Sequence, residues 1–401
     1  MILDNYKTLG GVHPETASIK NIFAYHGIKA PHSGKRFSEA MLLGIGGGLG
    51  TIYMLWEFEK HGYPSLVVGF RNQYNYPVKF LENLCDRLGA TTQVMETTGQ
   101  KKAADQLDQT LAAGDPAIVW VDLGGAPYYM HFLLSGVVVV YGHDEDKALV
   151  DNRAKMPYIL PADLLTKARA KVPSYKNRLM VVKPSSGSIM LKAAIHAGLA
   201  DHMDFMNASS TSFALPAIRK WARMMTDTKN KKGWPTVFAG GRGLYGSLRT
   251  LYEGIEHAGT GGGGLRGLYA DFLDEAAGVL DRKALKAAAT LYRDLQGRWR
   301  DLAQAALPDR IDVFKSTREL LDRRAVLLLE QGSEGLAAIT PINDTLHQLK
   351  GELNDNFPLN ASKTSALFAD LQSRLEGIYE GEKQALAALE DAVDDMDGDR
   401  P

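Results

Sequence analysis

The hydrophobic period of the sequence changes once, and the change divides what the chain can become. Before "KPSSGS" (Lys183–Ser188), short apolar runs rich in β-branched residues alternate with helical patterns; after it, helical spacing takes over almost completely. The runs "SLVVGF", "AIVWVDL", "SGVVVVYG", "KALVDN" and "RLMVVK" read as strands bounded by Gly, Asp and Pro. Within them, "GVVVVYGHDEDKALVD" predicts a hairpin whose polar turn centres on Asp144, Glu145 and Asp146. Past the break, "YADFLDEAAGVL", "KALKAAATLYRDLQGRWRDLAQAAL" and "TSALFADLQSRLEGIYEGEKQALAALEDAV" predict a bundle of amphipathic helices. The class expected is α+β, with one domain over residues 1–185 and an all-α helical domain over 190–395. The acidic end "EDAVDDMDGDRP" is expected to fray.

Charge and composition exclude several function classes. With 46 basic and 47 acidic residues the formal net charge is -1, so no general electrostatic hold on nucleic acid is expected. No apolar stretch reaches the roughly 18 residues of a membrane span, and the N-terminus lacks a basic segment followed by an apolar run. A cytoplasmic protein with neither a membrane nor a nucleic acid as partner is the expectation. Cys85 is the only cysteine, which excludes an intrachain disulfide and a cysteine-rich zinc site. It sits in "FLENLCDRLG", whose amphipathic spacing predicts a buried, inert thiol.

Two glycine runs raise the question of a cofactor. In "LLGIGGGLGTIY", Gly44 and Gly46 begin a dinucleotide-type pattern, but Leu49 takes the third glycine position. "GTGGGGLRGLYADFLDE" satisfies the spacing through Gly259, Gly261 and Gly264, yet it follows the helical pattern "LRTLYEGIEHA" instead of a strand. Both read as tight turns before helices, and no cofactor is expected. Exposed amides at a helix start could still hold an anion, with Arg266 adding a fixed positive charge.

The stretches "HPETASIKNIFAYHG", "FSEAMLLGIGGGLGTIYM", "VVVVYGHDEDKALVDNR" and "LPADLLTKARAKVPSYKNRLMVV" together resemble the N-terminal domain of the butirosin biosynthesis protein H family. "GTGGGGLRGLYADFLDEAA" with "YRDLQGRWRDLAQAAL" resembles the helical domain of unknown function that commonly follows it. The resemblance implies a papain-like N-terminal domain with an antiparallel sheet. It also implies secondary-metabolite biosynthesis, with aminoacyl transfer from a carrier-protein thioester to an amine through a covalent thioester.

That chemistry needs a thiolate at a helix start, an imidazole and a side chain to orient the imidazole. The family pattern sets the nucleophile on Pro14, with His13 and Thr16 retained, and the imidazole on Gly136; Asp151 survives from the triad. Two readings stay open. Pro14 and Glu15 suit the first turn of a helix, by a preset φ and by a favourable charge, and the pocket would then persist for binding alone. Alternatively His13, Glu15, His131 and Asp151 converge as non-thiol catalytic groups. His131, beside Phe132 and Leu133, also reads as a structural histidine, and His26 and His143 as helix-end and turn residues.

His13, Glu15 and His131 form a 2-His-1-carboxylate set by residue type, but type does not fix facial geometry, and no metal is expected. Pro14, Thr16, Gly46, Gly47, Tyr129, Gly136, Arg266 and Tyr269 are expected on the binding side. Arg266 and Tyr269 would form a lid, unless Arg266 pairs within the bundle. Asp151 should find a partner among His13, His131, Asn152 and Arg153, because an unpaired buried charge is costly. The activity expected is acyl or aminoacyl transfer without cysteine, on a small-molecule amine or acyl substrate. An acyl carrier protein is a candidate donor and a homodimer a candidate assembly. The alternative is a non-catalytic relative that binds a metabolite or a carrier-protein arm, and peptidase activity is the least supported.

Overall fold

The computed structural model describes residues 1–57, 62–73, 76–124, 135–184 and 187–397. In chain order come α1 (Pro14–Tyr25), α2 (Glu39–Ile45), β1 (Leu49–Glu57), β2 (Pro64–Arg71), α3 (Pro77–Arg87), β3 (Ala90–Met95) and α4 (Gln100–Ala112). These are followed by β4 (Ala117–Asp122), β5 (Ser135–His143), β6 (Lys147–Asp151), β7 (Tyr158–Pro161), α5 (Ala162–Ala170) and β8 (Leu179–Pro184). The rest is helical: α6 (Leu191–Met206), α7 (Ala214–Thr226), α8 (Trp234–Val237), α9 (Leu244–Glu256), α10 (Arg266–Leu280), α11 (Leu285–Ala306), α12 (Asp312–Gln331), α13 (Leu336–Asp355) and α14 (Ala361–Asp397). The acidic segment expected to fray is helical as far as Asp397; its last residues lie outside the described ones.

Composition marks a linear break near Lys183–Ser188, but the compact units are discontinuous in sequence. The first contains Met1–Leu42, Leu81–Leu191 and Arg323–Thr345; the second contains Leu43–Phe80, Lys192–Asp322 and Leu346–Pro401.

In the first unit, six strands form one antiparallel sheet in the order β3-β8-β4-β5-β6-β7. Its central strand, "AIVWVD" in β4, is buried along its whole length, as a continuous apolar run requires. The predicted hairpin closes where expected. Asp144 Oδ1 accepts hydrogen bonds from the amides of Asp146 (3.0 Å) and Lys147 (2.8 Å), an Asx turn that fixes the β5–β6 register. α1 packs on β5, and α5 on β4, β6 and β7. Cys85 is fully buried in α3, and burial raises its thiol pKa, so it is the inert core thiol its sequence context indicates.

The second unit departs from the reading of "LLGIGGGLGTIY". Gly47 and Gly48 turn with φ of 116° and 70°, as tight turns do, but they lead into strand β1 and not into a helix. The reason lies downstream, where Thr51, Ile52, Tyr53 and Trp56 give a β-branched and aromatic run that favours extended backbone. β1 pairs with β2 in a two-stranded antiparallel ribbon. α7 packs on β1, α9 on β2, and α14 on both α7 and α11. Tyr53 stacks on Trp221 at 5.0 Å, while Phe70 meets Trp299 edge-on, also at 5.0 Å.

Arg266 lies over the Phe70 and Trp299 rings, with no exposure at all. Its Nε donates to Glu382 Oε1 at 2.7 Å, its Nη1 to Gly264 O at 2.7 Å, and its Nη2 to Thr51 Oγ1 at 3.0 Å. Trp299 Nε1 donates to the same Glu382 oxygen at 2.9 Å. Removing one member of a fully buried pair strands the other charge, so Glu382→Ala should destabilise this unit by about 3–5 kcal/mol in urea unfolding. The double variant Glu382→Leu with Arg266→Met should recover most of that loss. A single variant as stable as the parent would contradict the pairing.

Candidate functional site

Four of the predicted site residues, His13, Pro14, Glu15 and Thr16, form the start of α1. His13 is the N-cap in extended conformation and Pro14 the first helical residue, a position where its missing N–H costs no bond. His13 Nδ1 lies 3.3 Å from Glu15 Oε2, with side chains only 9% and 11% exposed. Thr16 Oγ1 donates to Glu39 Oε1 at 3.1 Å. Glu39, which sequence reasoning missed, organises this end of the helix. Its carboxylate accepts from the amides of Val12 (2.9 Å) and His13 (3.1 Å), from Thr16 and from Lys20 Nζ (3.1 Å). A carboxylate thus sits where the helix dipole and the unpaired amides favour negative charge. Gly11 is required beside it, because a Cβ there would lie 2.4 Å from Ala17 Cβ and 3.0 Å from Glu39 Oε2.

Asp151 meets α1 further along. Its Oδ2 accepts from Asn21 Nδ2 (2.6 Å) and Tyr6 Oη (2.8 Å), and its Oδ1 from the Arg153 amide (3.2 Å). Arg153 is thus one of the expected partners, whereas Tyr6 and Asn21 were not foreseen. Asn21 stands seven residues beyond Pro14, about 10 Å along the helix axis, so Asp151 reaches α1 away from its start. Burial raises the Asp151 pKa, against the lowering effect of the Asn21 and Tyr6 hydrogen bonds. Arg153 Nη1 also donates to Val12 O at 2.7 Å, tying the segment before α1 to the end of β6.

Gly136 does not face that carboxylate. Asp151 is opposite Val139, and directly opposed residues share a face of the sheet. The β4–β5 register is regular from Ser135 to Val140, so Gly136, three residues from Val139, points to the other face. The expected alignment of a Gly136-position imidazole with Asp151 is corrected by this alternation. His131 and Tyr129 lie outside the described residues. Among the described residues no cluster of three His, Cys, Asp or Glu side chains could hold a metal ion.

The remaining predicted binding residues belong to the second unit. Gly46 and Gly47 form the buried turn before β1, with Asn72 Nδ2 donating to Gly47 O at 2.7 Å. Arg266 and Tyr269 are fully buried, which corrects the lid expectation: Arg266 pairs with Glu382, and Tyr269 packs on His202 (4.5 Å) and Tyr292 (5.0 Å). The glycine run before them is a packing device. A Cβ on Gly264 would meet Phe70 at 2.8 Å, and one on Gly263 would meet the Gln296 carbonyl at 2.5 Å. The amides of Gly264, Leu265 and Arg266 donate to Ile255, Thr260 and Gly263 carbonyls, which leaves them unavailable to an anion. His202, also unforeseen, accepts from the Leu49 amide at 3.2 Å, and burial pushes its pKa down to about 3, keeping it neutral.

Residues 13–153 match the family described as butirosin biosynthesis protein H, N-terminal, and residues 163–331 match a domain of unknown function, DUF4872. The two matches follow one another as a butirosin biosynthesis protein H-type N-terminal region and then DUF4872. The first match begins at His13, the N-cap of α1, and ends at Arg153, whose guanidinium returns to Val12. The family region therefore opens and closes at the same end of the helix. No curated protein matches the chain. Among the described residues no helix is long and apolar enough to cross a membrane.

Two measurements test this geometry. Since the folded pKa of Asp151 is raised above its ordinary 3.8, the folded chain binds that proton more readily than the unfolded chain, and stability should fall as pH rises through the folded value. Urea midpoints of the wild type relative to Asp151→Asn should therefore worsen from about pH 4 to about pH 7; a constant difference would refute the shift. The second measurement places a thiol beside Glu39. In a Cys85→Ser background, the Pro14→Cys thiol should not fall below the roughly 8.5 of a free cysteine, because the Glu39 charge opposes the helix dipole. Adding Glu39→Gln should lower that pKa, whereas adding Gly136→His should leave the iodoacetamide pH profile unchanged. Among the described residues no atom lies within 4 Å of a Cβ added at Gly136.

Proposed function

We propose that this chain is an acyltransferase-like biosynthesis protein that joins an acyl or aminoacyl thioester to a small-molecule amine without a covalent acyl-enzyme. The observation that carries this reading is the His13–Glu15 pair, 3.3 Å apart and largely buried, beside a proline at the position where family resemblance sets the nucleophile. In the papain-like design implied by that resemblance, the thiol would stand at Pro14. Here the imidazole takes the proton of the attacking amine, and Glu15 stabilises the imidazolium that forms. The nitrogen adds to the thioester carbonyl, the C–S bond breaks, and the thiolate leaves with the transferred proton. Holding amine and thioester together supplies much of the rate, since well-oriented pairs reach effective molarities of about 10⁵ M or more. An acyl carrier protein is the proposed donor in the cell.

A second reading, that the protein binds such a ligand without reacting it, is favoured by Glu39. Its carboxylate occupies the Val12 and His13 amides and the Thr16 hydroxyl, donors that would otherwise suit an oxyanion. The purified protein, incubated with acyl-pantetheine thioesters and a panel of amines, should give amide product by mass spectrometry. His13→Ala should lower the rate at least about tenfold, in the range of general-base contributions, and Cys85→Ser should leave it unchanged. Thioester binding without product would favour the binding reading; product formation insensitive to His13→Ala would defeat the proposed base.

A further inference from the structure

A cavity of about 840 Å³ lies between α7 and α14 in the second unit, remote in sequence from the residues discussed above. α7 is strongly amphipathic. Ala217, Ile218, Trp221, Met224 and Met225 are buried, while Arg219, Lys220 and Arg223 line the cavity. The facing wall, from α14, contributes Glu376, Tyr379, Glu380 and Lys383.

Most of the α14 charges are already engaged. Lys383 Nζ is 3.3 Å from Glu380 and lies over the Tyr379 ring at 5.6 Å, and Glu376 accepts from Gln372 Nε2 at 2.8 Å. The α7 wall differs. Among the described residues none of its three cations is ion-paired, although the whole chain carries a net charge of only -1. Partial burial first, and then the charges of Lys232 and Arg223, lower the Lys220 pKa.

We propose that this cavity binds a small organic phosphate, its phosphate group held by Arg219, Lys220 and Arg223 and its organic part resting on Tyr379 and Pro216. Three cations within little more than one helical turn suit a dianion with several acceptor oxygens, and the two guanidinium forks match phosphate geometry. The volume falls within the roughly 300–1,000 Å³ of small-molecule sites. Glu376 and Glu380 on the opposite wall disfavour a continuing polyanion, which selects a single phosphorylated molecule over a nucleic acid strand. This inference uses none of the α1 residues and stands apart from the acyl-transfer reading.

Calorimetric titration of the full chain with phenyl phosphate tests it, with inorganic phosphate and neutral benzyl alcohol in parallel. Phenyl phosphate should bind saturably at one site, more tightly than inorganic phosphate, and benzyl alcohol should not bind. The double variant Arg219→Ala, Arg223→Ala, at surface-exposed positions, should weaken phenyl phosphate at least about tenfold, as loss of charge-assisted bonds implies, with an unchanged melting temperature. Tyr379→Ala should weaken phenyl phosphate and leave inorganic phosphate alone. The proposal is overturned if phenyl phosphate shows no saturable binding or if the folded double variant binds as the parent does. It is equally overturned if inorganic phosphate binds as tightly as phenyl phosphate, or if an oligonucleotide binds more tightly through the same residues.

Discussion

A guanidinium with no access to water has to be answered by fixed acceptors, and the second unit is organised around that demand. Arg266 draws its partners from places far apart in sequence: Glu382 on α14, Thr51 on β1 and the carbonyl of Gly264 in the loop before its own helix. Trp299 and Phe70 enclose it at 5.1 and 5.3 Å. A charge so enclosed cannot shift without leaving a partner unsatisfied, so it fixes ribbon, loop and helices at once. The glycine run follows from the same demand. Its residues must approach Phe70, Gln296 and Arg300 more closely than a Cβ allows.

The first unit uses a buried anion in the same way. Glu39 gathers the Val12 and His13 amides, the Thr16 hydroxyl and the Lys20 ammonium, and so sets a negative charge beside the positive end of α1. A helix whose positive end is already neutralised gains little from a second anion. Pro14 and Glu39 are therefore mutually consistent: one begins the helix without an N–H, the other accepts from the Val12 and His13 amides just before it. Beside it stands a histidine next to a carboxylate in a largely buried setting, a pairing with the chemistry of proton transfer.

Charge is distributed differently over the α7–α14 surface. In the core of the second unit Arg266 is matched by Glu382; on α7, among the described residues, three cations share one wall with no carboxylate from their own helix. The contrast separates charges that fold the chain from charges left available to a ligand. A protein with balanced overall charge can present such a patch only by arranging its residues locally, here through the helical spacing of Arg219, Lys220 and Arg223.

Much of this was legible in the sequence. The strands β2, β4, β5, β6 and β8, the turn at Asp144, the buried Cys85 and the helical second half follow from hydrophobic period and turn chemistry, which are local properties. β3 ("ATTQVM") and β7 ("YILP") were not legible, because short polar or edge strands are defined by their neighbours in the sheet. The roles of Glu39, Tyr6 and Asn21 were hidden for a related reason: Glu39 lies 26 residues from His13, and Tyr6 lies 145 from Asp151, so no local pattern connects them. The only trace was polar side chains such as Thr16 and Asn21 inside an otherwise buried helix. Sequence alone determined which residues begin α1 and that no cysteine stands there. Tertiary structure decided which carboxylate neutralises that helix, that Gly136 and Asp151 occupy opposite faces of the sheet, and that Arg266 is a core residue, because register and burial are set by contacts between segments that the sequence does not place side by side.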